Sequence, residues 1–309
     1  MITGFPHGLL FHHFHNEMHI KGQGAISSDE FAGIIRWAGR ERILDAAEWL
    51  SRALSGKLEQ DDLCITFDDG LKCQFDVALP VLERFGIKAF WFIYSSPFEG
   101  EADHLELYRH FRTACFKTIN DFYEEFFQQV ESVGFGARIA TTTEAADLDL
   151  YLPHAPFYTR EDRRFRFVRD QVLGGEDYGN LMAALMERYG FDVQGARKSL
   201  WLGKPDIREL HGKGHLIGLH SHSHPTDLAS LPRERQSLEY ETNKSLLENV
   251  TESEIQVMSH PCNSYDSHTL SLLGDLDIQL GFRADMAGPA KSPLEHSRIN
   301  HALIMREMT

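Results

Sequence analysis

The sequence predicts an α/β fold, a barrel with a largely parallel sheet. Seven short apolar runs rich in β-branched or aromatic residues recur along the chain, at 8–14, 63–67, 88–94, 216–220, 256–259, 278–283 and 302–305. Helical patterns lie between several of them. Strands that alternate with helices form parallel sheets, and about seven strands in one domain indicate a barrel, an incomplete one included.

The helices are read in chain order. Ser27 with Glu30 forms a capping box that opens a helix through about Trp37. Residues 74–85 carry apolar side chains at helical spacing, with Gly86 as the stop and Pro80 as a kink. The stretch 231–250 is long, polar and sparse in apolar positions, which predicts a surface helix; 266–276 fits a shorter one. Residues 101–200 break the rhythm. An aromatic-rich helix is expected over 104–130, charged or irregular chain over 145–158 and 160–169, and a helix over 179–189. The whole chain, 1–309, then reads as one barrel domain interrupted by a mostly helical insertion at about 101–200.

The 309 residues are 42% hydrophobic and 25% charged, ordinary for a globular protein, which excludes a disordered or collagen-like chain. No apolar run approaches the ~20 residues of a membrane span. The first ten residues lack the basic and apolar segments of a signal peptide. The net charge of −15 disfavours nucleic acid as a partner. Four scattered cysteines with no CxxC pair read as reduced thiols, so a cytoplasmic location is expected. Seventeen histidines are a surplus in the residue most used for metal ligation and proton transfer near neutral pH.

Two clusters carry chemistry. In Ile65-Thr66-Phe67-Asp68-Asp69-Gly70 an apolar strand runs into two adjacent carboxylates, which are costly to bury unless a cation or proton holds them. An Asp-Gly turn facing solvent is the plainer reading of the same residues. In His220-Ser221-His222-Ser223-His224 three histidines follow another strand. Extended chain would hold His220 and His224 about 13 Å apart, too far for one ion. A helical turn after His220 would bring the pair to one face and leave His222 pointing elsewhere. Two histidines and a carboxylate form a catalytic zinc set with a position open for water.

The Thr-Phe-Asp-Asp-Gly and His-Ser-x-x-His stretches resemble the first two motifs of the polysaccharide deacetylases, the carbohydrate esterase family 4 with its NodB homology domain. The resemblance covers roughly residues 7–98 and 204–309. It implies a distorted (β/α)7 barrel and metal-dependent removal of acyl groups from amino sugars. Carried over, it makes Asp69, His220 and His224 the metal ligands and Asp68 the general base. Ser259-His260-Pro261-Cys262-Asn263-Ser264-Tyr265 occupies the place of the third motif. There Pro261 matches, Cys262 takes the position whose amide helps bind the oxyanion, Asn263 and Tyr265 line the substrate, and Ser259 replaces an arginine that usually holds the base. Arg298 is the cation expected to supply that role from another direction. His301 is the nearest counterpart of the general acid, and His13, at the end of the first apparent strand, lines the pocket. Zinc is the metal expected, with cobalt, nickel or manganese also able to accept the set.

The expected substrate is a small N-acetyl or N-formyl amino sugar on a nucleotide or similar soluble carrier, a precursor of a surface polysaccharide. The competing readings are a metal-dependent amidohydrolase acting on a cyclic imide or ureide and a sugar-binding module without activity. The gap of 151 positions between Asp69 and His220 leads the sequence to place several strands there besides the insertion. Arg160, Arg163, Arg164, Arg166 and Arg169 form a basic run in an acidic chain. It reads as a carrier-binding patch or as a solvated face paired with Glu161, Asp162 and Asp170.

Overall fold

The computed structural model describes residues 4–100, 104–151 and 158–308. The chain divides into two compact units, residues 1–103 with 197–309, and residues 104–196.

The first unit is built on seven parallel strands: β1 His7–Phe11, β2 Leu63–Phe67, β3 Phe90–Ile93, β4 Leu216–Leu219, β5 Val257–Ser259, β6 Leu280–Phe282 and β7 Arg298–Asn300. Their order is β6-β5-β4-β3-β2-β1-β7. The barrel nearly closes because the chain just before β7 bridges back to β6. His296 N donates to Gly281 O at 2.9 Å, and Arg283 N donates to His296 O at 2.9 Å. The unit is therefore a distorted (β/α)7 barrel, as the sequence predicts. β1, β2 and β3 are buried along their whole length, as parallel strands covered on both faces are.

Side-chain alternation sorts the strands into two faces. Leu9, Phe11, Ile65, Phe67, Trp91, Ile93, Ile217, Leu219 and Met258 pack outward in the large core beneath the helices. Cys64, Phe90, Phe92, Val257, Leu280 and Phe282 pack in a second core on the opposite, inner face. Further along the same inner rows stand Asp68, His220 and Ser259. A period of two thus carries three polar groups to one end of the barrel, at the C-terminal ends of β2, β4 and β5. Space inside is short. A Cβ at Gly218 would lie 2.6 Å from the Phe92 ring, and one at Gly8 would lie 3.0 Å from the Arg298 side chain.

The flanking helices follow the expected signals. Ser27 caps Ser28–Ala38 with the complete Glu30 box, and Asp266 caps Ser267–Asp275. The segment 74–85 is a π-helical turn, Gln74–Ala78, continuing into Leu79–Phe85, which ends at left-handed Gly86. Arg233–Thr251 is not purely a surface helix: Gln236, Glu239, Tyr240, Asn243 and Leu247 are buried along it. The expected strand at 302–305 is helical, part of His301–Met308, and the seventh strand lies just before it. A short apolar run does not separate strand from helix by periodicity. The Asn300 side chain accepts from Ala302 N at 2.9 Å and starts the helix. Between Asp69 and His220 the described residues hold two strands, β3 and β4, and the rest is helix and loop.

The second unit is helical. The expected helix over 104–130 is two, His104–Cys115 and Ile119–Ser132, broken where Thr118 caps the second. Gly136–Ala145, Arg160–Phe167, the π-helical Val168–Leu173 and Gly174–Arg188 follow. The stretch 160–169 is thus ordered helix, opened by a Thr159–Asp162 capping box. Residues 152–157, part of the stretch read as irregular, lie outside the described residues. Phe111, Phe122, Phe126, Phe165 and Tyr178 form its aromatic core. No helix of the described residues is long and apolar enough to cross a membrane.

Candidate active site

Asp69, His220 and His224 converge beyond the ends of β2 and β4, each offering a ligand atom within 4.8 Å of the others. Asp69 Oδ1 lies 3.4 Å from His220 Nε2 and 3.5 Å from His224 Nε2. Two ligand atoms at ~2.0–2.1 Å from a tetrahedral ion stand roughly 3.3 Å apart. The donor set is therefore already at the spacing a metal needs, and the residues fit the ion. The His220 tautomer suits the role as well. Its Nδ1 donates to Ser259 O at 2.9 Å, which leaves Nε2 as the ring atom that faces Asp69.

The expected helical turn after His220 is not what joins the histidines. The loop is irregular, and left-handed backbone at Ser221 (φ 62°) and His224 (φ 54°) folds it back instead. Asp69 is left-handed too, at φ 74°. Such backbone is unfavourable for residues with a side chain and persists where the surroundings enforce it. Here the enforcement is visible. Glu239 accepts from His222 N at 2.9 Å, Ser223 N at 2.7 Å and Ser223 Oγ at 2.6 Å. Buried Asn243 accepts from His220 N at 2.9 Å and donates to Ile93 O at 3.0 Å. His222 points away from the cluster. Its Nδ1 lies 2.9 Å from Ser95 Oγ, and its carbonyl accepts from Ser95 N and Ser96 N. On the β2 side, Gly70 (φ 60°) follows Asp69, and a Cβ there would meet Ile93 at 2.9 Å, so only glycine suits the position.

Asp68 is held differently. Arg298, fully buried inside the barrel, grips it with both fork nitrogens at 2.6 and 2.8 Å. Ser259 Oγ donates to Asp68 Oδ1 at 3.1 Å. The serine and Arg298 together hold the Asp68 carboxylate. Burial would push the Asp68 carboxyl up, but Arg298, with His220 and His12, outweighs it and holds the group below its ordinary range. Burial also opposes ionisation of Asp69, and there the His220 hydrogen bond and the neighbouring histidines hold the carboxyl far below its usual value.

The first strand stops short of the run 8–14 read from sequence. β1 ends at Phe11, so His12 and His13 lie beyond it. His12 Nε2 stands 4.0 Å from Asp68 Oδ2, and Gln74 Nε2 ties the His12 carbonyl (2.8 Å) to the Asp68 carbonyl (2.6 Å). Burial lowers the His12 imidazole while Asp69 and Asp68 pull it upward, the net direction being down. His13 stacks against His12 at 6.0 Å between ring centroids. His301 is not brought to the carboxylates. It stacks on Phe11, on the outer face of β1, and its Nε2 lies 2.9 Å from Gly24 O. Burial lowers it to about 4.

Pro261, Cys262, Asn263 and Tyr265 occupy the loop that follows β5, immediately after the serine that bonds Asp68. Cys262 and Asn263 are left-handed, at φ 50° and 58°. Asn263 pins the loop by donating to Asp285 at 2.7 Å and accepting from Ala284 N at 2.8 Å. Tyr265 stacks on His260 with centroids 3.9 Å apart and donates to Glu295 at 3.0 Å. His12, Gln74, Glu239 and Asn243 were not singled out from sequence. Only His12 carried a signal there, as one of three histidines in a row of five residues.

Residues 181–281, which span the His220–His224 turn and the Ser259 loop, match the family model described as polysaccharide deacetylase. No curated protein matches the sequence significantly. Several solved structures share the fold. The Streptococcus pyogenes deacetylase PplD, solved with acetate, aligns at TM-score 0.56 and 14% identity over 96% of this chain and 92% of its own. IcaB from Ammonifex degensii aligns at 0.55 and 13% over 96% and 91%. The BpsB deacetylase domain from Bordetella bronchiseptica aligns at 0.51 and 13% over 95% of each. The family match lies across the histidine turn and its flanking strands, and the solved structures share the barrel fold around them.

Proposed function

We propose that this protein is a metal-dependent hydrolase that removes an N-acetyl or N-formyl group from an amino sugar carried on a nucleotide or a similar small soluble carrier, and that it acts in the cytoplasm. One observation carries the reading: a three-residue cage at metal-ligand spacing stands beside a separate carboxylate that Arg298 keeps ionised. Asp69, His220 and His224 hold the ion, with zinc favoured by the two-imidazole, one-carboxylate set. When bound, it supplies Lewis acidity toward both the attacking water and the amide carbonyl.

The chain's own groups divide the proton work. Asp68 Oδ2, 3.9 Å from His220 Nε2, is the oxygen nearest the cage and accepts the proton of the attacking water. Arg298 is a positioning residue, fixing the carboxylate's plane and charge. His12, whose Nε2 stands 4.0 Å from Asp68 Oδ2, is the group we assign to protonate the departing amine, in place of His301. The loop Pro261–Asn263 with Tyr265 borders the substrate, the Cys262 amide serving the oxyanion, and His13 lies at the rim. The four cysteines are free thiols, one of them exposed, which supports a reducing compartment.

The test is a panel of N-acyl amino sugars, free, nucleotide-linked and oligomeric, assayed for acetate or formate release by metal-loaded protein, with a cyclic imide and a ureide alongside. The proposal expects turnover of amino sugars, fastest on the nucleotide-linked forms. Faster turnover of oligomers would overturn the carrier assignment. Turnover of the imide or ureide alone would overturn the sugar assignment, and binding without turnover would favour a sugar-binding module.

A further inference from the structure

Outside the barrel site, the helical unit gathers positive charge against its aromatic core. Asp162, Phe165, Arg166 and Arg169 are spaced by three and four residues, so they share one face of Arg160–Phe167 and its π-helical continuation. Arg112, on the helix His104–Cys115, lies over two rings of that core, its Cζ 5.6 Å from the Phe122 centroid and 5.4 Å from that of Phe165. Arg166 lies 4.0 Å over the Tyr158 ring.

Two of the arginines expected from sequence to bind a carrier are engaged elsewhere. Arg163 donates to the Tyr151 carbonyl; Arg164 covers the Phe127 ring at 4.1 Å and faces Glu161 at 3.7 Å. Arg112 and Arg166 differ. Their Nε atoms are buried without a hydrogen-bond partner, and neither guanidinium has an ion pair among the described residues. The nearby carboxylates are committed. Asp162 accepts from Thr159 N at 2.8 Å, Thr159 Oγ1 at 2.9 Å and Tyr123 OH at 2.5 Å. Asp170 accepts from Arg169 at 2.5 and 2.9 Å and from Tyr151 OH at 3.0 Å. Arg112 and Arg169 each depress the ionisation of Arg166, so the three like charges feel one another.

Half-buried guanidiniums without counter-ions are unfavourable unless an anion meets them. Aromatic stacking engages only their faces and leaves the N–H groups in the guanidinium plane open to an acceptor. Asp170 neutralises Arg169, and two positive charges remain. We propose that Arg112, Arg166 and Arg169 form a binding site for a dianionic oxyanion of the phosphoryl class, wholly within the helical unit. Arginine forks match two phosphate oxygens at a time, and the forks of Arg112 and Arg166 are the open ones, Arg169 adding charge beside them while its own fork holds Asp170. The site stands independently of the deacetylase reading.

The test is calorimetric titration of the full-length, metal-loaded chain with inorganic phosphate, with a nucleoside diphosphate and with acetate. The proposal expects saturable one-to-one binding of a phosphate ligand and none of acetate. Tighter binding of the nucleoside diphosphate would support a phosphoryl group borne on a larger molecule, and equal binding would support the free ion. Arg166→Gln and Arg112→Gln should each weaken binding at least about tenfold, and Arg164→Gln should leave it unchanged. Arg166→Lys, which keeps the charge without the fork, guards against misfolding and should weaken binding about fivefold. Absence of saturable phosphate binding to the wild type would overturn the proposal, as would equal weakening by Arg164→Gln and Arg166→Gln, which would mark a diffuse charge effect.

Discussion

Asp68 and Asp69 are neighbours in sequence with different partners, which separate the tasks proposed for them. Asp69 faces two imidazoles, whereas Asp68 faces a guanidinium. Asp69→Ala, His220→Ala and His224→Ala are each expected to lose bound metal, measured by elemental analysis, while His222→Ala keeps it; full occupancy in His224→Ala would contradict the ligand set. His12→Gln is expected to retain metal and lose at least about a hundredfold in kcat, while His301→Gln stays near wild-type kcat; the reverse order would return the acid role to His301. Arg298→Gln leaves Asp68 buried without its cation and should lower unfolding stability by about 3–5 kcal/mol, read from denaturant midpoints. The carboxylate pair and the histidine row were legible in sequence because each is local. Arg298 stands 230 residues from Asp68, and sequence points to it only through the resemblance, because Ser259 leaves the base without its usual arginine. The resemblance points to His13 at the end of a strand read to Phe14, whereas β1 ends at Phe11 and leaves His12 beside Asp68.

At the scale of elements, the helix Arg233–Thr251 does more than cover the barrel. Its Glu239 and Asn243 hold the histidine loop in left-handed backbone, and both lie on what its polar sequence marked as a solvated face. A polar residue buried to bond a loop looks, in sequence, like one left in water. Asn243→Ala should weaken metal affinity about 10–100-fold, the usual effect of removing a group that orients a ligand, while leaving the three ligands in place; unchanged affinity in a metal titration would remove the orienting role. Inside the barrel, Gly218→Ala forces a methyl to 2.6 Å from the Phe92 ring and 2.8 Å from the Val257 carbonyl. Overpacking of this kind costs about 1–3 kcal/mol, and the thermal midpoint should fall accordingly. The last strand was misplaced by a few residues because the apolar run 302–305 belongs to a helix packed on the barrel. Length and an Asn300 cap, rather than hydrophobicity, distinguish the two.

Across the whole molecule, a set of histidines is buried neutral. Burial lowers His260 to about 3 and His215, His296 and His301 to about 4, against 6.5 in the unfolded chain. Between pH 6.5 and about 4 the unfolded chain binds more protons than the folded one, so stability rises with pH in that window. The contribution is complete above pH 6.5 and is lost as the pH falls toward 4. Urea midpoints should drop steeply over that range, and His260→Gln, which can keep the bond to the Leu294 carbonyl, should flatten the curve. A wild-type midpoint unchanged between pH 7 and 5 would contradict it. The surplus of histidine was plain in the composition, but which rings are structural and which face the carboxylates depends on the strand ends and was not. The central claim, that Asp69, His220 and His224 hold one divalent ion for hydrolysis with Asp68 as the base, has a direct measurement. Chelated protein is given back zinc in steps while acetate or formate release from an N-acyl amino sugar is followed, in wild type and Asp68→Asn. Activity should return in proportion to zinc up to one ion per chain, with Asp68→Asn binding the same ion and turning over at least about a hundredfold more slowly. Turnover by the chelated protein, or near-normal turnover by Asp68→Asn, would contradict the claim.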